Sequence, residues 1–250
     1  MISRQTLLNW CDQTLQPQLF KDGAPNGLQV EGNEQIRHII TAVTASQAAI
    51  NHAIAQGADT LLVHHGLFWR SEPTTIIGWK KQRIAALLTH NINLIGYHLP
   101  LDAHPTLGNN AQLAIKLNWQ PENAFGEQNL LSIGILPENQ RTLAQLAQAV
   151  EQTLGRTPTI IGNPNQPLNR VAWCTGGAQW YFQAAIDAGA DVYLTGEISE
   201  AQYHLANETG TAFITAGHHA TERYGIQALG NALAQQFGVT MQFFDENNPA

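Results

Sequence analysis

Cysteine is scarce in this chain of 250 residues: there are two, Cys11 and Cys174, and they form no CxxC pair. That spacing excludes a zinc ribbon or a thioredoxin-like dithiol and reads as two buried thiols. Charge is also scarce, at 12% of residues, and positive charge most of all. Twelve Lys plus Arg face 19 Asp plus Glu, for a net charge of −7. A protein that grips phosphate backbones in general carries a basic excess, so general nucleic-acid binding is not expected. No apolar run approaches the roughly twenty residues that cross a bilayer. Leu7, Leu8 and Trp10 follow helical spacing without the apolar core of a signal peptide, so a cytoplasmic protein with no membrane partner is expected. There is no low-complexity tract, and the glycine-rich segments lack the lysine and spacing of a phosphate-binding loop. What remains is 44% hydrophobic, enough for one large α/β domain or two small ones.

Strand and helix patterns alternate along nearly the whole length. After an N-terminal helix and the turn-rich loop 22–27, the pattern gives strand 37–44, helix 46–56, strand 59–64, helix 79–90, strand 93–98 and a helix near 109–117. The second half gives strand 130–136, helix 142–154, strand 170–175, helix 178–188, strand 191–195, helix 199–208, strand 211–216, helix 220–236 and strand 239–244. Such alternation predicts an α/β fold with mainly parallel sheets. The turn-forming stretch 120–127 is the expected seam, dividing an N-terminal domain 1–125 from a C-terminal domain 126–250, with exchange of elements between them allowed. The two halves also repeat. Ala53-Ile54-Ala55-Gln56-Gly57-Ala58-Asp59 matches Ala185-Ile186-Asp187-Ala188-Gly189-Ala190-Asp191, each the end of a helix, a turn and a buried strand. The repeat aligns His65 with Glu197.

Three clusters fall at strand ends, where ligands gather in parallel sheets. His64-His65 closes the apolar run Thr60-Leu61-Leu62-Val63, His98 and Asp102 follow Leu94-Ile95-Gly96-Tyr97, and His218-His219 with Glu222 follows Ala212-Phe213-Ile214-Thr215. A single histidine at a strand end is usually just a hydrogen-bonding partner. Asp102 alone reads as a helix cap, and Glu222 alone as a match to a helix dipole. Neither explanation accounts for the histidines beside them. Imidazole with carboxylate suits zinc, iron, manganese or nickel, and two such ions make a dinuclear site. Glu197 is a weaker site candidate, since it also precedes a helix opening at Ser199-Glu200, and His219 points away from the set.

Further motifs accompany these clusters: Ala24-Pro25-Asn26-Gly27-Leu28-Gln29-Val30-Glu31-Gly32, Val63-His64-His65-Gly66, His98-Leu99-Pro100-Leu101-Asp102-Ala103-His104-Pro105, Gly108-Asn109-Asn110-Ala111, Val171-Ala172-Trp173-Cys174-Thr175-Gly176-Gly177, Leu194-Thr195-Gly196-Glu197 and Ala216-Gly217-His218-His219-Ala220-Thr221-Glu222-Arg223. Through them the whole chain resembles the YbgI-type proteins, the family of GTP cyclohydrolase 1 type 2 homologues. The resemblance implies two related, intertwined three-layer α/β domains with a metal cleft between them, and a toroidal homohexamer. It implies two divalent ions per subunit held by His64, His65, Asp102, His218 and Glu222, with Glu222 bridging.

On these grounds a dinuclear metal-dependent hydrolase is expected, acting through metal-activated water on a nucleotide or purine-like substrate, including a modified or damaged one. His98 is the candidate for proton transfer or for orienting a ligand. Arg70, Lys80, Lys81 and Arg83 are candidates to meet phosphates, and Trp69 or Trp79 to stack on a base. GTP cyclohydrolase chemistry itself is disfavoured, because the chain has no cysteine ligand cluster of the zinc cyclohydrolase type. The alternatives are a dinuclear phosphoesterase or amidohydrolase, and a non-catalytic metal-binding ring, scaffold or metal carrier.

Overall fold

The strand Thr60–His65 has no exposed face. Leu61 and Val63 pack with Ile40, Ala42 and Leu94 against the helices Gln47–Ala55 and Gly78–Thr89. Leu62 turns the other way, joining Ile39, Ile95, Leu7, Cys11, Ile226 and Leu229. Burial on both sides explains why the strand reads as an unbroken apolar run. Each Leu or Ile so enclosed contributes about 1.5–3 kcal/mol. The computed structural model describes Met1 to Ala250 and divides into two units. One comprises Met1–Gly108 with Gly225–Asn247, the other Asn109–Tyr224 with Asn248–Ala250.

In the first unit five strands lie in the order Thr240–Phe243, His38–Thr44, Thr60–His65, Asn93–Gly96 and Gly27–Val30. The first three junctions are parallel and the last is antiparallel. In the second unit the order is Gln120–Phe125, Leu131–Ile135, Arg170–Trp173, Val192–Thr195, Ala212–Thr215 and Thr159–Ile161. Its three central strands are parallel and its flanking pairings antiparallel. Val171, Trp173, Val192, Leu194 and Ile214 pack on one side with Leu146 and Val150. Phe182, Tyr193 and Phe213 form a ring cluster of their own. The α/β architecture with parallel-rich sheets agrees with the sequence reading.

Three details differ from the sequence reading. The expected seam at 120–127 contains the edge strand Gln120–Phe125, where Pro121 is tolerated because an edge residue need not donate to a ladder. Its residues are almost all exposed, which is why they read as a linker. The division into units falls after Gly108 instead. The expected helix 178–188 opens as a 3-10 turn, Gln179–Tyr181, before the α-helix Phe182–Asp187.

The internal repeat is geometrical as well as textual. Gly57 and Gly189 take the left-handed conformation, φ +62° and +75°, that ends a helix without a Cβ penalty. Asp59 then accepts from the main-chain N–H groups of Arg37 and His38 at 2.8 and 3.0 Å. Asp191 does the same for Asn169 and Arg170, both at 2.8 Å. In both halves, this aspartate ties the start of its own strand to the start of the neighbouring one.

Candidate metal centre

In the first unit, His64 and His65 end the strand Thr60–His65, at the sheet's carboxyl edge. His64 is buried, and its Nδ1 lies 2.9 Å from the Tyr97 carbonyl oxygen. A carbonyl only accepts, so Nδ1 carries the proton and Nε2 of the neutral ring carries the lone pair. That Nε2 faces Asp102 Oδ1 at 3.4 Å. Asp102 is also buried and lies within the short helix Leu99–Ala103, whose N-cap is His98; the capping alternative for Asp102 therefore falls away. His65 is turned by Thr44, Nδ1 to Oγ1 3.2 Å. One ring nitrogen from each of His64, His65 and His98 lies within 4.8 Å of the others, a spacing suited to metal ligation.

His98 is held by a residue that sequence reading missed. Asp22 Oδ1 lies 2.7 Å from His98 Nδ1, and Asp22 Oδ2 accepts from the Leu99 N–H at 3.0 Å. The same carboxylate accepts from the Ala24 N–H and from Asn26 Nδ2, while Asn26 Oδ1 accepts from the His98 N–H at 2.8 Å. Burial alone would raise the Asp22 carboxyl. The His98 hydrogen bond and charge, with Asn26 and the Ala24 N–H, outweigh it and hold the group well below the usual carboxylate range. Trp69 closes over these rings, 5.0 Å from His98 edge-on and 5.9 Å from His65.

The second unit holds His218 and Glu222 one turn apart at the start of the helix His218–Phe237. His218 Nδ1 lies 2.7 Å from Glu197 Oε1, and Nε2 lies 3.1 Å from Glu222 Oε2. Glu197 therefore orients His218 and does not cap the next helix. That helix is capped by Ser199 with Gln202. The Gly176 backbone packs so closely that a Cβ there would lie 2.0 Å from Glu222 Oε1. His219 is buried and joins neither group.

Both units thus present an imidazole nitrogen to a buried carboxylate, with the other ring nitrogen engaged by an acceptor. Two acceptors face to face call for a cation or a proton between them, so the donor sets fit divalent metal. Without metal the proton takes that place in the second unit. Burial would lower His218, but Glu222 and then Glu197 outweigh it and raise it to about 9. The folded value lies above the ordinary 6.5, so this group's stabilisation is complete below about pH 6.5 and is lost as pH rises through about 9. Thermal unfolding of chelator-treated protein should show its midpoint falling across that window, whereas a midpoint rising there would contradict it.

Comparison with known proteins places these features in a family. The chain is 64% identical over 250 residues to a "GTP cyclohydrolase 1 type 2 homolog" of Neisseria meningitidis serogroup A, covering all of both chains. It is 47% identical over 251 residues to a protein of that name from Pseudomonas aeruginosa, covering 100% of this chain and 99% of the other. Among solved structures, one described as protein ybgI, of unknown function, superposes with a TM-score of 0.96 at 44% identity over both full chains. Another, from Thermus thermophilus, gives 0.89 at 32%, again over both full chains. The model of the Duf34/NIF3 (NGG1p interacting factor 3) family matches residues 2–249, and the chain belongs to that family.

Proposed function

We propose that the chain holds two divalent ions, through His64, His65 and Asp102 in the first unit and through His218 and Glu222 in the second. The chain is then a metal-dependent hydrolase for a nucleotide or purine-like substrate, including a modified or damaged one. The reading is carried by the recurrence of one arrangement: His64 faces Asp102, and His218 faces Glu222, each with its Nδ1 already engaged. Bound divalent ions would supply Lewis acidity, lowering the pKa of a water toward neutrality.

The protein's own residues would do the rest. His98, its Nδ1–H held by Asp22, offers Nε2 to receive a proton, and the ring it becomes would face the Asp22 carboxylate. Trp69 shields this side from bulk water, and Glu197 and Tyr97 hold the two imidazoles in their tautomers. The homohexameric ring implied by the resemblance belongs to the same proposal. Ile77 and Trp180, each 69% exposed, are large apolar side chains left uncovered in the single chain.

Elemental analysis of freshly purified or reconstituted protein should give two metal equivalents per chain. The loaded protein should turn over a member of a nucleotide and metabolite panel, and chelator treatment should remove that activity. Product masses separate ring hydrolysis from phosphate or amide release. Loading that stops at one equivalent or less would overturn the pair of ions. Full loading without turnover above chelated protein would overturn the hydrolase in favour of a metal carrier.

A further inference from the structure

Beside His98 the first unit opens into two adjoining clefts. One, of about 540 Å³, is walled by Ala24, Pro25, Phe68, Trp69 and Pro73, with Lys80 and Glu72 among its polar residues. The other, of about 480 Å³, is lined by Pro17, Phe20, Lys21 and Asn26. Asp22, Ala24 and Arg70 line both. These volumes lie in the range of small-molecule sites.

The charges in the clefts are unevenly compensated. Lys80 is buried and satisfied in place, with Nζ 3.3 Å from Glu72 Oε2, 3.4 Å from the Pro73 carbonyl and over the Phe68 ring. The Asp22 carboxylate already accepts four hydrogen bonds. Arg70 differs: it is exposed, and its guanidinium donates to the neutral main-chain oxygen of Asp22 at 3.0 Å, not to a carboxylate. A positive charge at the junction of two clefts, one of them walled by flat apolar groups, is complementary to an anion joined to a planar ring. Of the other cations near the histidine loop, Arg83 stacks on Trp79 at 4.9 Å, and neither residue lines these clefts.

We propose that the clefts bind a planar heterocycle bearing an anionic group, with the ring against Trp69 and the anion at Arg70. The Trp69 ring also meets His98 and His65, so a ring stacked there lies beside the candidate centre. Only that last placement rests on the function proposed above.

The test uses adenosine 5′-monophosphate as probe, with adenosine and ribose 5-phosphate as its separate halves. Binding is measured by calorimetry on the full chain after chelation, so no ion contributes. The monophosphate should bind saturably at one per chain, and each half about five-fold or more weaker, since a base on an aromatic face accounts for about that factor or more. Arg70→Gln should weaken the monophosphate about ten-fold and leave adenosine unchanged. Trp69→Leu should weaken both, and Trp69→Phe should restore most of the loss. Trp79→Leu, at a ring outside the clefts, should change nothing. Absence of saturable binding, insensitivity to both Arg70 and Trp69, or an equal loss in Trp79→Leu would each overturn the site. None of these results bears on whether the histidines hold metal.

Discussion

Gly176→Ala should cost the protein its metal, although the substitution adds one methyl group to a residue that ligates nothing. The residue sits at φ +72°, and an added Cβ would lie 2.0 Å from Glu222 Oε1 and 3.2 Å from His218 Nε2. The backbone has little room to retreat. The Gly176 N–H donates to Thr221 Oγ1 at 3.0 Å, and its carbonyl accepts from the Gly196 N–H at 2.8 Å and from Thr195 Oγ1 at 3.0 Å. Glu222 is the group that must move, and burial leaves it few alternative rotamers. Outer partners of metal ligands are worth about 10–100-fold in affinity. Displacing the ligand itself should weaken metal binding by more than about 100-fold, as Glu222→Ala should. The left-handed backbone adds about 1–2 kcal/mol of strain for alanine, lowering the unfolding midpoint by about 2–8 °C in a chain of this size. Full metal loading in the alanine variant would contradict the assignment of Glu222.

Asp22→Asn should slow turnover of whichever substrate is found by about 10–100-fold at unchanged metal content. Each Asp22 oxygen accepts two hydrogen bonds, Oδ1 from His98 and Ala24, and Oδ2 from Leu99 and Asn26. An amide nitrogen accepts none, so either orientation of the substituted side chain abandons two donors. If its amide nitrogen turns toward His98, the ring adopts the opposite tautomer and Nε2 becomes a donor. Nitrogen chemical shifts of histidine-labelled protein report that change without any assay. Activity within about three-fold of wild type, with the His98 tautomer unaltered, would remove Asp22 from the mechanism.

The pattern of what sequence could reveal is itself physical. His64 and His65 were legible because they close a strand buried on both faces, where neighbouring residues fix the element. The 57–59 and 189–191 turns were legible because a left-handed cap and its aspartate are local. Asp22 was not, because its partner His98 lies 76 residues away and the loop around it carries only turn residues. The Gly176-Gly177 pair was visible, but its purpose depends on Glu222, which reaches Gly176 only through the fold. Glu197 read equally well as a cap, since a helix does begin three residues later. Folding resolved that ambiguity by giving the cap to Ser199.

The strand Thr240–Phe243 lies parallel to His38–Thr44, and the helix preceding it places Ile226, Leu229 and Leu233 in the first unit's core. During synthesis, therefore, the first unit cannot finish its sheet until Thr240–Phe243, made after the second unit, has left the ribosome. The intervening residues of the second unit emerge while the first still exposes an open strand edge and an uncovered apolar face. Cutting the chain at Gly108 would reproduce that nascent species, and aggregation of such a fragment is its expected fate.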